Sequence, residues 1–289
     1  AQIIPPAENQ QSTGRRLTLA RWLTRPDHPL TSRVIVNRLW QYHFGRGLVR
    51  TSSDFGRLGE PPTHPELLDW LARSLVAHDW QMKPLHRELV SSATYRQSSL
   101  TPASETARLV DPDNRLWWRM DIRRLGAEQI RDSLLAVTGE LRREAAGPSV
   151  DWQQPRRTVY TKVLRNVREP LLDAFDSPDH IISTPDRNVT TTPTQALLMI
   201  NGGYTQARAR QFAAQLSARP DESPEQRLTF AYRAALGRAP TADETRDALE
   251  YLEQSCATAS PDNRSTVRDA AWLDLCHVLL NANEFLYVD

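Results

Sequence analysis

Four short patterns do most to limit what this chain can fold into: Thr63-His-Pro-Glu66, Thr192-Pro-Thr-Gln195, Ser223-Pro-Glu-Gln226 and Thr241-Ala-Asp-Glu244. Each reads as a capping box. A hydroxyl accepts from the amide three residues on, and Glu or Gln reaches back to the first amide. Two of them put Pro at the first helical position, where a missing N–H is no loss. Apolar spacing agrees: Leu67, Leu68, Leu71 and Leu75 form a stripe after Thr63, with Trp70 beside it. Leu228, Ala231, Tyr232 and Ala235 do the same before Gly237, a residue suited to ending a helix. Further helices are expected near 16–24, 31–44, 85–94, 127–145, 204–218, 242–257 and 266–282. Only Arg157-Thr-Val-Tyr-Thr-Lys-Val-Leu164 has a strand-like, β-branched pattern, as a short strand or extended chain. The fold class is therefore all-α: a multi-helix globular domain with long irregular polar loops and at most one short strand or hairpin.

Those loops cover 45–62, 95–114, 146–156 and 176–191, and structureless connections beyond about 12–15 residues are usually functional or disordered. Residues 1–14 read as a linker remnant of a fragment or processed chain. Residues 15–289 read as a single helical domain, with the 146–156 loop as the place where two packed lobes, 15–146 and 157–289, would meet.

Charge narrows the partners. With 36 basic and 35 acidic residues the net charge is +1, so no electrostatic footprint for nucleic acid is present. No apolar run approaches the roughly 20 residues that cross a bilayer, so direct membrane insertion is not expected. Among the basic residues only Lys83 and Lys162 are lysines, leaving 34 arginines, each a planar fork suited to carboxylate, sulfate or aromatic partners. Cys256 and Cys276 fall at different heights on expected helices and read as free thiols. No Cys-x-x-Cys-His occurs, so the chain carries no c-type haem, and no cofactor is expected in it.

Two stretches concentrate polar chemistry. In the first, Arg33, Asn37 and Gln41 share one face of the 31–44 helix, followed by Arg38, His43, Arg46, Asp54, Arg57, Glu60 and His64. This set reads as a solvated stripe, as the floor of a polar pocket, or as a buried Arg–carboxylate network. The second runs from Arg165 through Asp173, Asp176, Asp179 and His180 to Arg187, Asn188 and the threonines at 190–192. As a calcium loop it lacks the required Gly and terminal Glu, and as a zinc site it lacks a second nearby His. Its aspartates read as caps or as partners of Arg165, Arg168 and Arg187. Its threonine run, at a helix start beside Arg187 and Asn188, suits an anion or hydroxyl group. The ligand-contacting candidates are thus Arg38, Gln41, His43, Arg46, Arg57, Arg165, Arg187, Asn188 and Thr191. For acid–base work the candidates are His43, Asp54 and Asp176, with Glu60 and His64 in the wider pool. No nucleophile elbow, P-loop, dinucleotide fingerprint or zinc-protease motif is present. Trp22, Trp70, Trp80 and Trp272 read as core, while Trp117, Trp118 and Trp152, near loops, are the better candidates for stacking platforms, with ordinary packing as the alternative for each.

Several of these residues recur in longer matches: Ala20-Arg-Trp-Leu23, Val36-Asn-Arg-Leu-Trp-Gln41, His43-Phe-Gly-Arg-Gly-Leu-Val49, Pro62-Thr-His-Pro-Glu-Leu-Leu-Asp-Trp-Leu71, Arg187-Asn-Val-Thr-Thr191 and Asn283-Glu-Phe-Leu-Tyr-Val288. In these the chain resembles a planctomycete-type C-terminal domain of unknown function, found in exported multidomain proteins that also carry cytochrome-c-like segments. The resemblance implies an extracytoplasmic setting, periplasmic or at the cell surface, with upstream domains of the same polypeptide as partners. It assigns no catalytic residue. The expected function is a helical binding or assembly module that engages a polar or anionic ligand, such as an anionic or neutral polysaccharide, or its own upstream domains. A carbohydrate-active enzyme with Asp/His acid–base chemistry and a purely structural scaffold are the alternatives.

Overall fold

Helix signals become thirteen α-helices in the computed structural model, which describes residues 13–100, 105–164, 166–179, 181–257 and 260–288. Two-residue strands β1 (Arg123–Arg124) and β2 (Tyr287–Val288) form the one sheet among the described residues, and the protein is all-α. The apolar stripes collapse into two separate cores, and the chain divides into two compact units between Arg123 and Arg124.

The first unit holds α1 (Arg15–Leu23), α2 (Thr31–Phe44), α3 (Pro65–Ala77), α4 (Met82–Ser91) and α5 (Glu105–Val110). Val36, Leu39, Trp40 and Phe44 of α2 pack with Leu68, Leu71 and Leu75 of α3 and with Leu85 and Leu89 of α4. This is the one-sided burial that helical spacing dictates. Gly45 ends α2 at φ +90°, a left-handed turn that glycine adopts without strain. Leu48 and Val49 then drop back into the core. Trp117, one of the platform candidates, is buried, with its ring edge-on to Trp40 at 5.6 Å and to Phe44 at 5.2 Å. Trp22 and Trp70, which read as core, are 40% and 51% exposed because their helices turn those faces outward.

The second unit holds α6 (Ala127–Val137), α7 (Pro170–Ala174), α8 (Pro193–Asn201), α9 (Gly203–Ser217), α10 (Pro224–Leu236), α11 (Ala242–Ala257), α12 (Arg264–Asn281) and α13 (Asn283–Leu286). α12 lies along α9 and α11, and its Trp272, Cys276 and Leu280 meet Phe212, Leu216, Leu228 and Ile130 in one core. Both cysteines are free, and burial pushes the Cys276 thiol up to about 12.

Three expectations are corrected. The helix expected over 127–145 stops at Val137: the Thr138 hydroxyl bonds the Leu134 carbonyl (3.0 Å) and Gly139 turns the chain left-handed at φ +67°. The Thr63 capping box does not form. His64 is the N-cap of α3, while the Thr63 amide donates to Leu48 O at 2.9 Å. The unit boundary is not in the 146–156 loop. That loop wraps the guanidinium of Arg131 on α6, which donates to the carbonyls of Trp152 (2.6 Å), Gln154 (2.8 Å) and Arg156 (2.8 Å). It belongs to the second unit for that reason. The strand-like 157–164 stretch contains a single 3-10 turn, Thr158–Tyr160, and pairs with Val150 through an isolated bridge at Thr161.

Candidate functional site

In the first unit the polar face of α2 turns inward. Asn37 is completely buried; its side chain donates to Val49 O (3.0 Å) and accepts from Val49 N (2.8 Å). Gly47 passes so close that a Cβ there would lie 2.6 Å from Asn37 Nδ2 and 2.5 Å from Val49 O, which explains the glycine. Arg33 pairs with Asp69 at 2.6 Å, and Gln41 is buried. Asn37 thus clamps the start of the 45–62 loop, while Arg33 stays partly exposed against Asp69. The rest of that loop is tied internally: the Thr51 hydroxyl donates to Asp54 O (2.8 Å) and accepts from Glu60 N (3.0 Å), while Asp54 Oδ1 accepts from Gly56 N (2.8 Å). Arg38 and Arg57 are exposed.

His43 meets His86 of α4, Nε2 to Nδ1 at 2.8 Å, with Tyr95 edge-on at 5.8 Å. Burial, then the neighbouring His86, then Arg123 hold His43 below its ordinary pKa. The two ring nitrogens share one hydrogen bond, whose donor is set by the tautomers of the two rings.

Arg46 leads to a polar cleft in this unit. It pairs with Asp121 (3.1 Å), donates to Asn114 O (2.5 Å) and lies over the Trp117 ring at 4.9 Å. Arg46, Arg50 and Arg115 line a cleft of about 170 Å³ together with Glu60, Asp113 and Trp117. Arg115 stands 3.7 Å from Glu60, and Arg50 has no ion-pair partner among the described residues. The cleft thus presents three planar cations and the carboxylates of Glu60 and Asp113, with Asp121 behind Arg46. One cation is rigid and one is free.

The second unit uses its polar residues as ties. Asp176, at φ +61°, receives Arg124 Nη2 (2.8 Å), the Thr190 amide (2.8 Å) and the Thr190 hydroxyl (2.8 Å). Burial pushes this carboxyl up, but the Thr190 amide, Arg124 and the Thr190 hydroxyl outweigh it and hold it below the ordinary range. Arg124 also donates to Gln195 (2.9 Å) and to Thr190 O, so it joins the α7 end to the α8 start. Arg187 grips Glu128 with both arms (2.6 and 2.9 Å), Arg168 pairs with Asp173 (2.6 Å), and Thr191 meets the Tyr287 hydroxyl at 3.4 Å. Asn188 is exposed. Arg165 and His180 lie outside the described residues. No group of three or more His, Cys, Asp or Glu placed to hold a metal occurs among the described residues.

A model of the family described as PSD1, a protein of unknown function (DUF1553), matches residues 15–252. The chain belongs to the DUF1553 family. No curated protein and no solved structure matches it. The family match spans the arginine cleft, the histidine pair and the Asp176 tie of this DUF1553 chain. Four residues that shape these features escape a reading of the sequence: His86, Arg50, Arg115 and Arg124. His86 has a helical-spacing signal, since it sits on an amphipathic stretch beside Leu85 and Leu89. The three arginines are anonymous among 34 and carry no local signal.

Proposed function

We propose that this chain is a non-catalytic binding module whose first unit captures a carboxylate- or sulfate-bearing polymer, polysaccharide-like in chemistry, in the Arg46–Arg50–Arg115 cleft. The observation that carries the reading is Arg50, uncommitted in that cleft beside Arg46, which Asp121 and Trp117 hold in place. A planar fork held in place loses little freedom when it accepts a carboxylate or sulfate, and charge-assisted pairs of this kind are the strong ones. The resemblance to exported multidomain proteins supports an extracytoplasmic setting where such polymers occur, beside upstream domains of the same polypeptide. The enzymatic alternative draws less support: Asp176 is committed to Arg124 and Thr190, and Asp54 closes its own turn.

The test is calorimetric titration of the chain with oligogalacturonate and with a sulfated dextran at low and moderate salt. Binding should weaken with salt, and the Arg50→Ala/Arg115→Ala double variant should bind on the order of tenfold or more weakly, with unchanged melting temperature. Absence of binding to both polymers, or equal binding by the double variant, refutes the reading.

A further inference from the structure

A second cleft, wholly inside the second unit, has a different chemistry. It measures about 240 Å³ and is lined by Trp152, Tyr204, Pro170, Leu171, Leu198 and the Gly202–Gly203 backbone. The Trp152 and Tyr204 rings stand 5.7 Å apart with their planes inclined by 38°. Both are braced. The fully buried Arg131 guanidinium lies 4.4 Å over the indole, and Arg208, paired with Glu140 at 3.3 Å, lies 5.0 Å over the phenol ring. Rings fixed in this way offer a rigid apolar wall that costs no further ordering when a ligand stacks on it.

The two glycines differ in a way that matters. Gly202 is forced, because a Cβ there would lie 2.2 Å from Leu198 O. Gly203 is not: its Cβ would meet nothing within 4 Å, and its backbone is that of the first residue of α9. Alanine would serve the helix better at that position. Glycine leaves bare backbone at the cleft instead. The first amide of α9 to bond back along the chain is that of Gln206, to Gly202 O at 3.1 Å, and Gly202 has no side chain to cap the three before it. Those amides are available to oxygen atoms of whatever the cleft holds.

We propose that this cleft is a sugar subsite, in which one pyranose ring lays its C–H face on Trp152 and Tyr204 and turns hydroxyl oxygens towards the α9 backbone. The volume suits one ring rather than a larger ligand. A nucleobase fits the chemistry poorly. Reading its edge calls for several side-chain donors and acceptors, whereas the lining offers two hydroxyls, Thr205, directed to Met199 Sδ at 3.8 Å, and Tyr204, buried and with no hydrogen-bond partner among the described residues. The inference does not depend on the arginine cleft, which none of these residues lines.

The decisive experiment titrates the chain with cellotetraose, xylotetraose and mannotetraose by calorimetry, following tryptophan emission in parallel. At least one should bind and change the emission. Gly203→Leu, which fills the cleft where the backbone has room, should lower affinity at least tenfold with no fall in melting temperature. Trp152→Leu should lower affinity comparably. The Arg50→Ala/Arg115→Ala variant should bind these neutral sugars as the parent chain does, so failure here is distinct from failure of the anion-binding reading. No binding by any of the three sugars, or full binding by a folded Gly203→Leu variant, overturns the proposal.

Discussion

Arg131 is wholly buried, yet the nearest carboxylate, Asp132, lies 3.6 Å away. Its charge is met mostly by dipoles: the carbonyls of Trp152, Gln154 and Arg156, and the Thr158 hydroxyl at 3.2 Å. Burial lowers its pKa from the usual arginine value without neutralising it. Removing the guanidinium strands three inward carbonyls, each worth about 1–3 kcal/mol if left unsatisfied. Arg131→Met should therefore cost more than about 3 kcal/mol in urea unfolding, and a cost under about 1 kcal/mol would mean that the loop holds itself. Nothing local in the sequence marks this residue. It is one more arginine on an amphipathic helix, and its role appears only when residues 152–158 fold around it. Asp176 was half legible. Its pairing with an arginine follows from composition and proximity, and the Arg168–Asp173 pair is found at 2.6 Å. Its own partner, though, is Arg124, brought in from 52 residues away by the fold.

At the scale of elements, local chemistry was a good guide wherever a cap was free to act. Ser223 and Thr241 both cap as their sequences dictate: Gln226 N donates to Ser223 Oγ at 3.3 Å and Glu244 N to Thr241 Oγ1 at 3.2 Å, and each acidic or amide partner returns to the first amide. Thr63 has the same pattern and fails, because Leu48, buried beneath it, recruits the Thr63 amide. Tertiary burial overrules a contribution of about 1 kcal/mol. The two threonines should accordingly differ. Thr241→Ala should destabilise the chain by about 1 kcal/mol, whereas Thr63→Ala should fall within about 0.5 kcal/mol of the parent, since its backbone bond survives the change. Equal losses in thermal unfolding would show that the Thr63 hydroxyl, which donates to Leu48 O at 3.4 Å and meets His64 Nδ1 at 2.9 Å, stabilises the chain as much as a cap does. Helix ends without such a signal were the harder ones: α6 stops early at Thr138-Gly139, and the short α5, α7 and α13 are too brief to leave a periodic pattern.

Across the whole molecule, two cores with different titrating groups should fail at different acidities. In the first unit His43 is held below 6.5 by burial, by His86 and by Arg123. The unfolded chain therefore binds a proton that the folded one resists. The stability His43 contributes is full above about 6.5 and is lost as pH falls towards its lowered folded value. In the second unit Glu244 is drawn down from 4.5 to about 2, first by its hydrogen bonds to Arg238 and then by the Thr241 amide. Its contribution stays whole until pH drops below about 4.5 and fades as pH approaches 2. Arg238 holds Glu244 (2.7 and 2.8 Å) and Glu284 (2.6 and 2.8 Å) at once, tying α11 to α13. Hydrogen exchange, corrected for the intrinsic rate at each pH, should thus show α2 and α4 losing protection as pH falls below about 6.5, while α10–α13 keep theirs down to about 4.5. His43→Gln, which retains a hydrogen-bonding group without the titration, should flatten the first loss and leave the second. Simultaneous loss of protection in both units above about pH 4.5 would mean that His43 does not set the acid limit of the first unit.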